Sequence, residues 1–196
     1  MRDLLKEPLW REEDLGSAIP DTEHGVSVCL PLWRHVIGYE EKDPDVVSRF
    51  RSGYPRFCCP PAITRLFEQA ERELAGEGER CLVFPRASHA RRCLEFIERQ
   101  TGTKTGRVIE WGGQGFGVAL FPAQAYDNAR RFWRYCGEVI STRQAVAALG
   151  GDAGGTSSAQ GGHASRVIRQ RLADLSGQQE EDVFLFPSGM AANYAV

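Results

Sequence analysis

The chain has 196 residues, 42% of them hydrophobic, and its 24 basic and 26 acidic side chains leave a net charge of -2. This length supports one ordinary hydrophobic core, or one core with part of a second unit. The charge excludes the basic excess that is typical of a nucleic-acid-binding face. The charged N-terminus lacks the apolar stretch of a secretory signal, and no segment has the roughly 18 apolar residues of a membrane span. We therefore expect a cytoplasmic protein without a membrane or nucleic-acid partner, whose six cysteines are reduced.

The first part of the chain, residues 1–59, predicts an irregular N-terminal arm because turn-forming residues and prolines interrupt it repeatedly. A short strand is predicted within residues 26–30. Loop is predicted from Gly38 onward, with one helical turn after Asp43. The adjacent cysteines at 58 and 59 lack the spacing of a zinc site, so we interpret them as core or surface residues.

Helix and strand patterns alternate over residues 60–139, which predicts an α+β unit. Apolar residues recur at helical spacing behind the two prolines at 60 and 61, and a strand is predicted over 81–85. Ser88 is the predicted N-cap of the next helix, which Gly102 ends.

Two strands joined by a glycine-rich link are predicted over residues 106–122, and a helix is predicted over 125–137. The link, "GGQGFG", has neither the spacing nor the following helix of a dinucleotide-binding loop, so it indicates a hairpin. Cys81, Cys93 and Cys136 fall on apolar positions and are interpreted as small core residues.

Residues 140–196 are predicted to begin a second unit. Ser141 and Gln144 form a capping box, and residues 150–163 form a glycine-rich segment that predicts a mobile loop. An amphipathic helix is predicted over 164–177. Its apolar residues are expected to face inward, namely Ala164, Val167, Ile168, Leu172 and Leu175.

The last fifteen residues, "DVFLFPSGMAANYAV", predict a buried strand over 182–186 that turns into a helix from Gly189. Ser188 can cap this helix, and the amides of Gly189 and Met190 would then attract an anion at the helix N-terminus. The alternative is an ordinary strand–turn–helix with a serine cap and no ligand.

A resemblance to the cystathionine γ-synthase family, in its fungal form, favours the anion site. It is carried by "LADLSGQQEEDVFLFPSGMAANYAV", by "IPDTEHGVSVCLPLWRHVIGYEEKDP", by "GYPRFCCPPAITRL" and by "ISTRQA". The resemblance implies a pyridoxal 5′-phosphate (PLP) enzyme. It also implies an α/β fold class, in which an N-terminal α+β unit precedes the start of an aspartate-aminotransferase-type (PLP fold type I) large domain, here truncated.

The same resemblance implies cofactor-binding roles for four residues of this sequence. The amides of Gly189 and Met190 would hold the PLP phosphate, with Ser188 beside them. Many family members carry a Tyr-x-Arg motif that reaches the phosphate of the neighbouring subunit; here Ser141 stands in place of the tyrosine, and Arg143 is retained. Arg143 is therefore a candidate phosphate ligand within a homo-oligomer, with an exposed helix-start arginine as the alternative.

The lysines of the chain, Lys6, Lys42 and Lys104, lie in charged or turn-like stretches that do not suit a buried Schiff-base lysine. That lysine is expected beyond residue 196, so the sequence predicts a fragment that is inactive alone. The complete enzyme would join O-acylhomoserine to cysteine on the route to methionine. A cystathionine γ-lyase or an O-acylhomoserine sulfhydrylase stays open within the family. A non-catalytic α/β binding or regulatory module stays open outside it, and a nucleotide-binding protein is a weaker alternative.

Overall fold

The computed structural model describes residues 3–53, 59–151 and 158–195. The helices of these residues are α1 (Trp33–Glu40), α2 (Pro44–Val47), α3 (Pro61–Leu74), α4 (Ala87–Thr101), α5 (Tyr126–Tyr135), α6 (Thr142–Ala148), α7 (Ser158–Ser176) and α8 (Gly189–Ala195). The strands are β1 (Ala18–Ile19), β2 (Ser27–Val28), β3 (Glu79–Phe84), β4 (Arg107–Trp111) and β5 (Phe116–Pro122). The described residues thus form a mixed α/β structure with two small sheets, which confirms the predicted α/β class.

The larger sheet has the order β3-β5-β4, and the central strand β5 is antiparallel to both neighbours. β4 and β5 form the predicted hairpin. β3 and β4 therefore run parallel to each other on either side of β5, and α4 makes the crossover between them. All residues of β5 from Phe116 to Phe121 are buried, so this strand is the centre of the core.

Helices cover both faces of this sheet. The thiol of Cys81 donates a 3.8 Å hydrogen bond to the Phe67 carbonyl of α3, whereas the Phe84 ring packs edge-on against Phe132 of α5 with centroids 5.9 Å apart. Since odd and even residues of a strand point to opposite faces, α3 lies on one face and α5 on the other. α6 contacts α3, and α4 contacts α5, so that the sheet lies between two helical layers.

Local signals set most boundaries of this unit as predicted. α3 begins after Pro60, and Gly102 ends α4 in the left-handed conformation, with φ 70°. The predicted cap at Ser88 is wrong, because α4 begins at Ala87 and Arg86 is its N-cap without a side-chain bond. Tertiary packing sets this start, since a Cβ at Gly117 of β5 would overlap with the Arg86 carbonyl oxygen and with Ala87.

The N-terminal arm contains more regular structure than its sequence predicts. β1 and β2 pair as a two-stranded antiparallel ribbon, and Asp43 caps α2, as the predicted turn requires. The loop predicted from Gly38 is wrong at its start, because α1 extends to Glu40. Gly38 lets the two helices approach closely, since a Cβ there would lie 2.7 Å from a methyl group of Val46 in α2.

The helix predicted over 164–177 forms as part of α7, and Gly177 follows it with φ 68°. Its predicted inward face is wrong: Ile168, Leu172 and Leu175 are exposed, as is Ala164, and Ala173 is the buried residue instead. Among the described residues, this apolar stripe is not part of the hydrophobic core. The predicted loop is also wrong over 158–163, where α7 has already begun, and residues 152–157 lie outside the described residues.

The buried strand predicted over 182–186 is wrong as well. Residues 180–182 form a turn of 3₁₀ helix, and the following four residues have no strand pairing. Phe184 is 75% exposed, and Leu185 and Phe186 are also exposed. A strand needs a neighbour to accept its backbone hydrogen bonds, and no described strand lies beside this segment. The helix predicted after it does form, as α8.

Candidate functional site

The start of α8 is fixed by the hydroxyl of Ser188. Its Oγ accepts a 3.1 Å hydrogen bond from the Ala191 amide, which confirms the predicted capping role. The same hydroxyl donates to the carbonyl oxygen of Gly137 at 3.0 Å. Ser188 thus joins the first turn of α8 to the turn that follows α5.

This contact requires a glycine at position 137. Gly137 has φ 71°, and a Cβ there would overlap with the Ala191 nitrogen and lie 2.5 Å from Ser188 Oγ and 2.8 Å from Met190 Cβ. Glycine adopts this left-handed conformation without steric cost. The backbone of the turn therefore lies directly against the start of α8.

A cavity of about 390 Å³ opens beside this contact, between the N-terminal arm, the end of α5, the start of α6 and the start of α8. Ser188 and Met190 line it, and so does Arg143, the second residue of α6. The structure therefore brings three of the four predicted cofactor-binding residues to one cavity within one chain. The fourth, Gly189, is not among the lining residues, but a Cβ at its position would meet no atom within 4 Å.

The cavity lining carries positive and neutral groups only. Arg134 joins Arg143, and no aspartate or glutamate lines the cavity among the described residues. The side chains of both arginines are exposed, and neither has an ion pair within the part of the chain that the structure describes. Two unpaired guanidinium groups without a competing carboxylate favour an anionic ligand.

The arm supplies one wall of the cavity through His24 and Val26. His24 Nδ1 lies 3.0 Å from Thr142 Oγ1, a buried hydroxyl in the first turn of α6. This pair connects residues 118 positions apart in the sequence, so it holds the arm to α6. No feature of the sequence predicted that His24 would lie at the site.

The inner wall of the cavity includes Trp133, whose side chain is fully buried. Its ring packs edge-on against Phe67, and the Arg130 guanidinium lies 4.5 Å from its centroid. The indole Nε1 has no hydrogen-bond partner among the described residues. The sequence predicts the helix that carries Trp133, but it gives no sign that this residue borders a cavity.

Next to Gly137, the buried carboxylate of Glu138 is paired with the Arg92 guanidinium of α4, and His89 Nε2 lies 3.5 Å from its other oxygen. Burial lowers the pKa of His89, although the Glu138 charge acts in the opposite direction. Arg92 also lies 5.5 Å above the ring of Tyr194 in α8. This cluster therefore links α4, the turn after α5 and α8.

Other reactive side chains include the three lysines, which lie outside this cavity, and the thiols of Cys81 and Cys136. Lys6, Lys42 and Lys104 are exposed, as the sequence predicts. Burial raises the pKa of the Cys81 thiol to about 12 and that of Cys136 to about 11, so both are inert core residues. Over the described ranges, no group of three or more metal-ligating side chains exists, and no helix is long and apolar enough to cross a membrane.

Comparison with known proteins identifies the central unit. Residues 62–141 match the family model described as the N-terminal domain of fungal trans-sulfuration enzymes. A Saccharomyces cerevisiae protein whose name places it with the cystathionine gamma-synthases is 38% identical over 149 residues, which are 67% of this chain and 23% of that protein. The cystathionine gamma-synthase of the same organism is 33% identical over 147 residues, again 67% of this chain and 23% of the relative.

A bacterial relative covers more of the chain. The L-2-amino-4-chloropent-4-enoate dechlorinase/desaturase of Streptantibioticus cattleyicolor is 32% identical over 181 residues, which are 89% of this chain and 35% of that protein. No solved structure gives a significant match. The chain spans between about a quarter and a third of the length of these relatives. Its residues 62–141 belong to the family of N-terminal domains of fungal trans-sulfuration enzymes, and the chain is similar to the cystathionine gamma-synthases.

Proposed function

We propose that this chain is the N-terminal part of a PLP-dependent enzyme of the cystathionine γ-synthase type. It comprises an arm over residues 1–59, an α+β unit over 60–139 and, from residue 140, the first elements of an aspartate-aminotransferase-type large domain. The observation that carries this proposal is the convergence of Ser188, Met190 and Arg143 on one cavity without carboxylates. The similarity to named cystathionine gamma-synthases supports it independently.

The residues present suit a phosphate group. The Gly189 amide has no hydrogen-bond partner among the described residues, and the space beside its Cα is open. Arg143 supplies a positive charge on the same cavity, and its unpaired guanidinium can bind two phosphate oxygens at once. Gly189, Met190 and Arg143 would therefore hold the PLP phosphate, while Ser188 holds the turn that presents the two amides.

When bound, the cofactor supplies the electron sink that substitution at the γ carbon of an amino acid requires. In the proposed reaction, a C–S bond forms between the cysteine sulfur and the γ carbon of O-acylhomoserine. The bond between that γ carbon and the ester oxygen breaks. The acyl group leaves as a carboxylate, and the thiol proton is released. The contribution of this chain is to bind and orient the phosphate and to exclude water with the apolar wall that Trp133 and Ile140 provide. The catalytic lysine would come from a region outside these 196 residues.

Arg143 reaches the cavity of its own chain, which supports a contribution to the same subunit that carries Ser188 and Met190. The resemblance instead implies a contribution to the neighbouring subunit of a homo-oligomer. In the complete enzyme, mixed oligomers of an R143Q subunit and a subunit with Gly189→Val would separate these arrangements. If Arg143 binds the phosphate of its own subunit, both sites of a mixed dimer lack one ligand and neither binds the cofactor normally. If Arg143 binds the phosphate of the neighbouring subunit, one of the two sites has all its ligands.

The direct test uses the 196-residue chain with ¹⁵N labelling and PLP as the titrant. We expect the amide signals of Gly189 and Met190 to shift with PLP and also with inorganic phosphate, and pyridoxal without phosphate to have no effect. R143Q should weaken this binding several-fold, because one charge-assisted contact is lost, whereas R99Q on the exposed side of α4 should not. Signals that do not move with either phosphate compound would overturn the proposed site and favour a non-catalytic module.

A further inference from the structure

We propose that Gly137, Ser188 and the Arg92–Glu138 ion pair form a clamp that positions the 188–191 segment on the α+β unit of residues 60–139, and that Ser188 acts as a positioning residue and not as a phosphate ligand. This inference deepens the proposed function and rests on it for the identity of the ligand. It gives the N-terminal α+β unit a defined task, which is to hold the cofactor-binding turn in place.

The Ser188 hydroxyl already uses its hydrogen-bonding capacity within the protein. The hydroxyl has one proton to donate, and the structure gives that proton to the Gly137 carbonyl at 3.0 Å. One lone pair of Oγ accepts the Ala191 amide at 3.1 Å. A phosphate oxygen needs a donor, and in this arrangement Ser188 has none left. The backbone amides must therefore provide the phosphate contacts at this turn.

Helix α8 is held in place by tertiary contacts. The preceding residues 183–186 form no strand, and Phe184, Leu185 and Phe186 are exposed, so strand pairing does not hold the helix in place. Contacts with the α+β unit hold it instead. Gly137 meets its first turn, the Phe132 ring packs edge-on against Tyr194 with centroids 5.6 Å apart, and Arg92 lies above the same tyrosine ring.

The turn at Gly137 and Glu138 is itself fixed to the α+β unit. Glu138 is buried, and its carboxylate is bound by Arg92 and lies beside His89, both of them on α4. The ion pair thus fixes the residue that follows Gly137 to a helix of the central unit. Arg92 contacts Glu138 in the turn and also Tyr194 in α8. One side chain therefore connects the turn after α5 with α8.

Hydrogen exchange on the full 196-residue chain tests the clamp directly. G137A places a methyl group against Ser188 Oγ and the Ala191 nitrogen, so we expect the Ala191 amide to lose protection by about tenfold or more, while the Leu120 amide of β5 keeps its protection. The matched control is G102A. Gly102 has φ 70°, so alanine meets the same backbone strain there, but its Cβ would touch nothing within 4 Å.

A second pair of variants separates the hydroxyl from general stability. S188A should lower the exchange protection of the Ala191 amide as G137A does. S188T keeps the hydroxyl, so its Ala191 amide should be as protected as in the wild type. Inorganic phosphate, followed through the Gly189 amide signal, gives the functional measurement. We expect S188T to bind phosphate as the wild type does, and G137A and S188A to bind it several-fold more weakly.

The outcomes test the clamp separately from the proposed phosphate site. If G137A and G102A change the Ala191 amide equally, or if S188A leaves it protected, the clamp is refuted. If S188A detaches the segment yet leaves phosphate binding unchanged, the positioning role is refuted. If the wild type binds no phosphate while the exchange results are as expected, the clamp stands as a structural device and the proposed cofactor site fails.

Discussion

Replacement of Arg92 by methionine tests the electrostatics of the Glu138 cluster. Methionine keeps most of the apolar stem and removes the charge, which leaves a carboxylate whose side chain is 7% exposed without its main partner. Loss of one partner of a buried ion pair costs about 3–5 kcal/mol. Because Arg92 itself is 31% exposed, we expect a smaller loss, about 2–3 kcal/mol at pH 8, or roughly 4–12 °C in Tm.

The pH dependence gives this prediction a second, independent measurement. Burial, together with the charges of Arg92 and Arg86, holds the pKa of His89 below its ordinary value, although Glu138 raises it. The wild type therefore has the full contribution of His89 to stability above about pH 6.5, and loses it as the pH falls through the lowered pKa. In R92M one repelling charge is gone, so His89 accepts a proton more readily and pairs with Glu138. The difference in unfolding free energy between the two proteins should therefore shrink between pH 8 and pH 5.5.

Urea unfolding followed by circular dichroism at both pH values measures these quantities. R91M is the matched control, since Arg91 is the exposed neighbour of Arg92 on α4 and has no ion pair among the described residues. It should change the unfolding free energy by no more than about 0.5 kcal/mol. Equal unfolding free energies of R92M and R91M at pH 8 would contradict a stabilising ion pair. An R92M deficit that is the same at both pH values would contradict the role of His89.

Other variants test the core and the surface. L120A at the fully buried centre of β5 should lower the unfolding free energy by about 3 kcal/mol; a loss below about 1 kcal/mol would contradict this burial. Because burial raises the pKa of Cys81 to about 12 and that of Cys136 to about 11, the unfolded chain ionises these thiols first, and stability should fall as the pH rises from 9 to 11. C81A should flatten that decline. L175K on the exposed stripe of α7 should leave the urea midpoint unchanged within error, since Leu175 is 85% exposed; a clear drop would show that the stripe is covered.

Features encoded in a few adjacent residues were predictable. The proline start of α3, the glycine end of α4, the hairpin of β4 and β5 and the capping box of Ser141 with Gln144 all follow from local backbone chemistry, and each is present. The cap of Ser188 on α8 belongs to this group. For these elements, propensity and packing agree, so the sequence pattern and the fold give the same answer.

The wrong predictions for the inward face of α7 and for a strand over 182–186 share one cause. A local sequence pattern does not show which other element, if any, packs against it. Periodicity correctly groups Ile168, Leu172 and Leu175 on one face of α7, but it does not reveal whether another element covers that face. Residues 183–186 have strand propensity, but no neighbouring strand among the described residues accepts their hydrogen bonds.

The candidate site was predictable only in part for a related reason. Family resemblance pointed to Ser188, Met190 and Arg143, which line one cavity. His24 and Gly137 reach the same place from distant parts of the chain, and neither carries a local motif. Only the tertiary fold shows that a histidine of the arm and a glycine after α5 belong to the site.

The position of β5 between β3 and β4 has a consequence for synthesis on the ribosome. β3 is made early, but its partner residues lie at 116–122, so every backbone bond that it exchanges with β5 must wait for those residues to emerge. Until then β3 exposes the apolar run from Cys81 to Phe84 with both edges unpaired. The residues of α3 and α4 have been synthesised by that time, and these helices precede and follow β3 in the sequence. The nascent chain therefore depends on these two helices to shield β3, and substitutions that weaken them should increase co-translational aggregation more than their effect on final stability predicts.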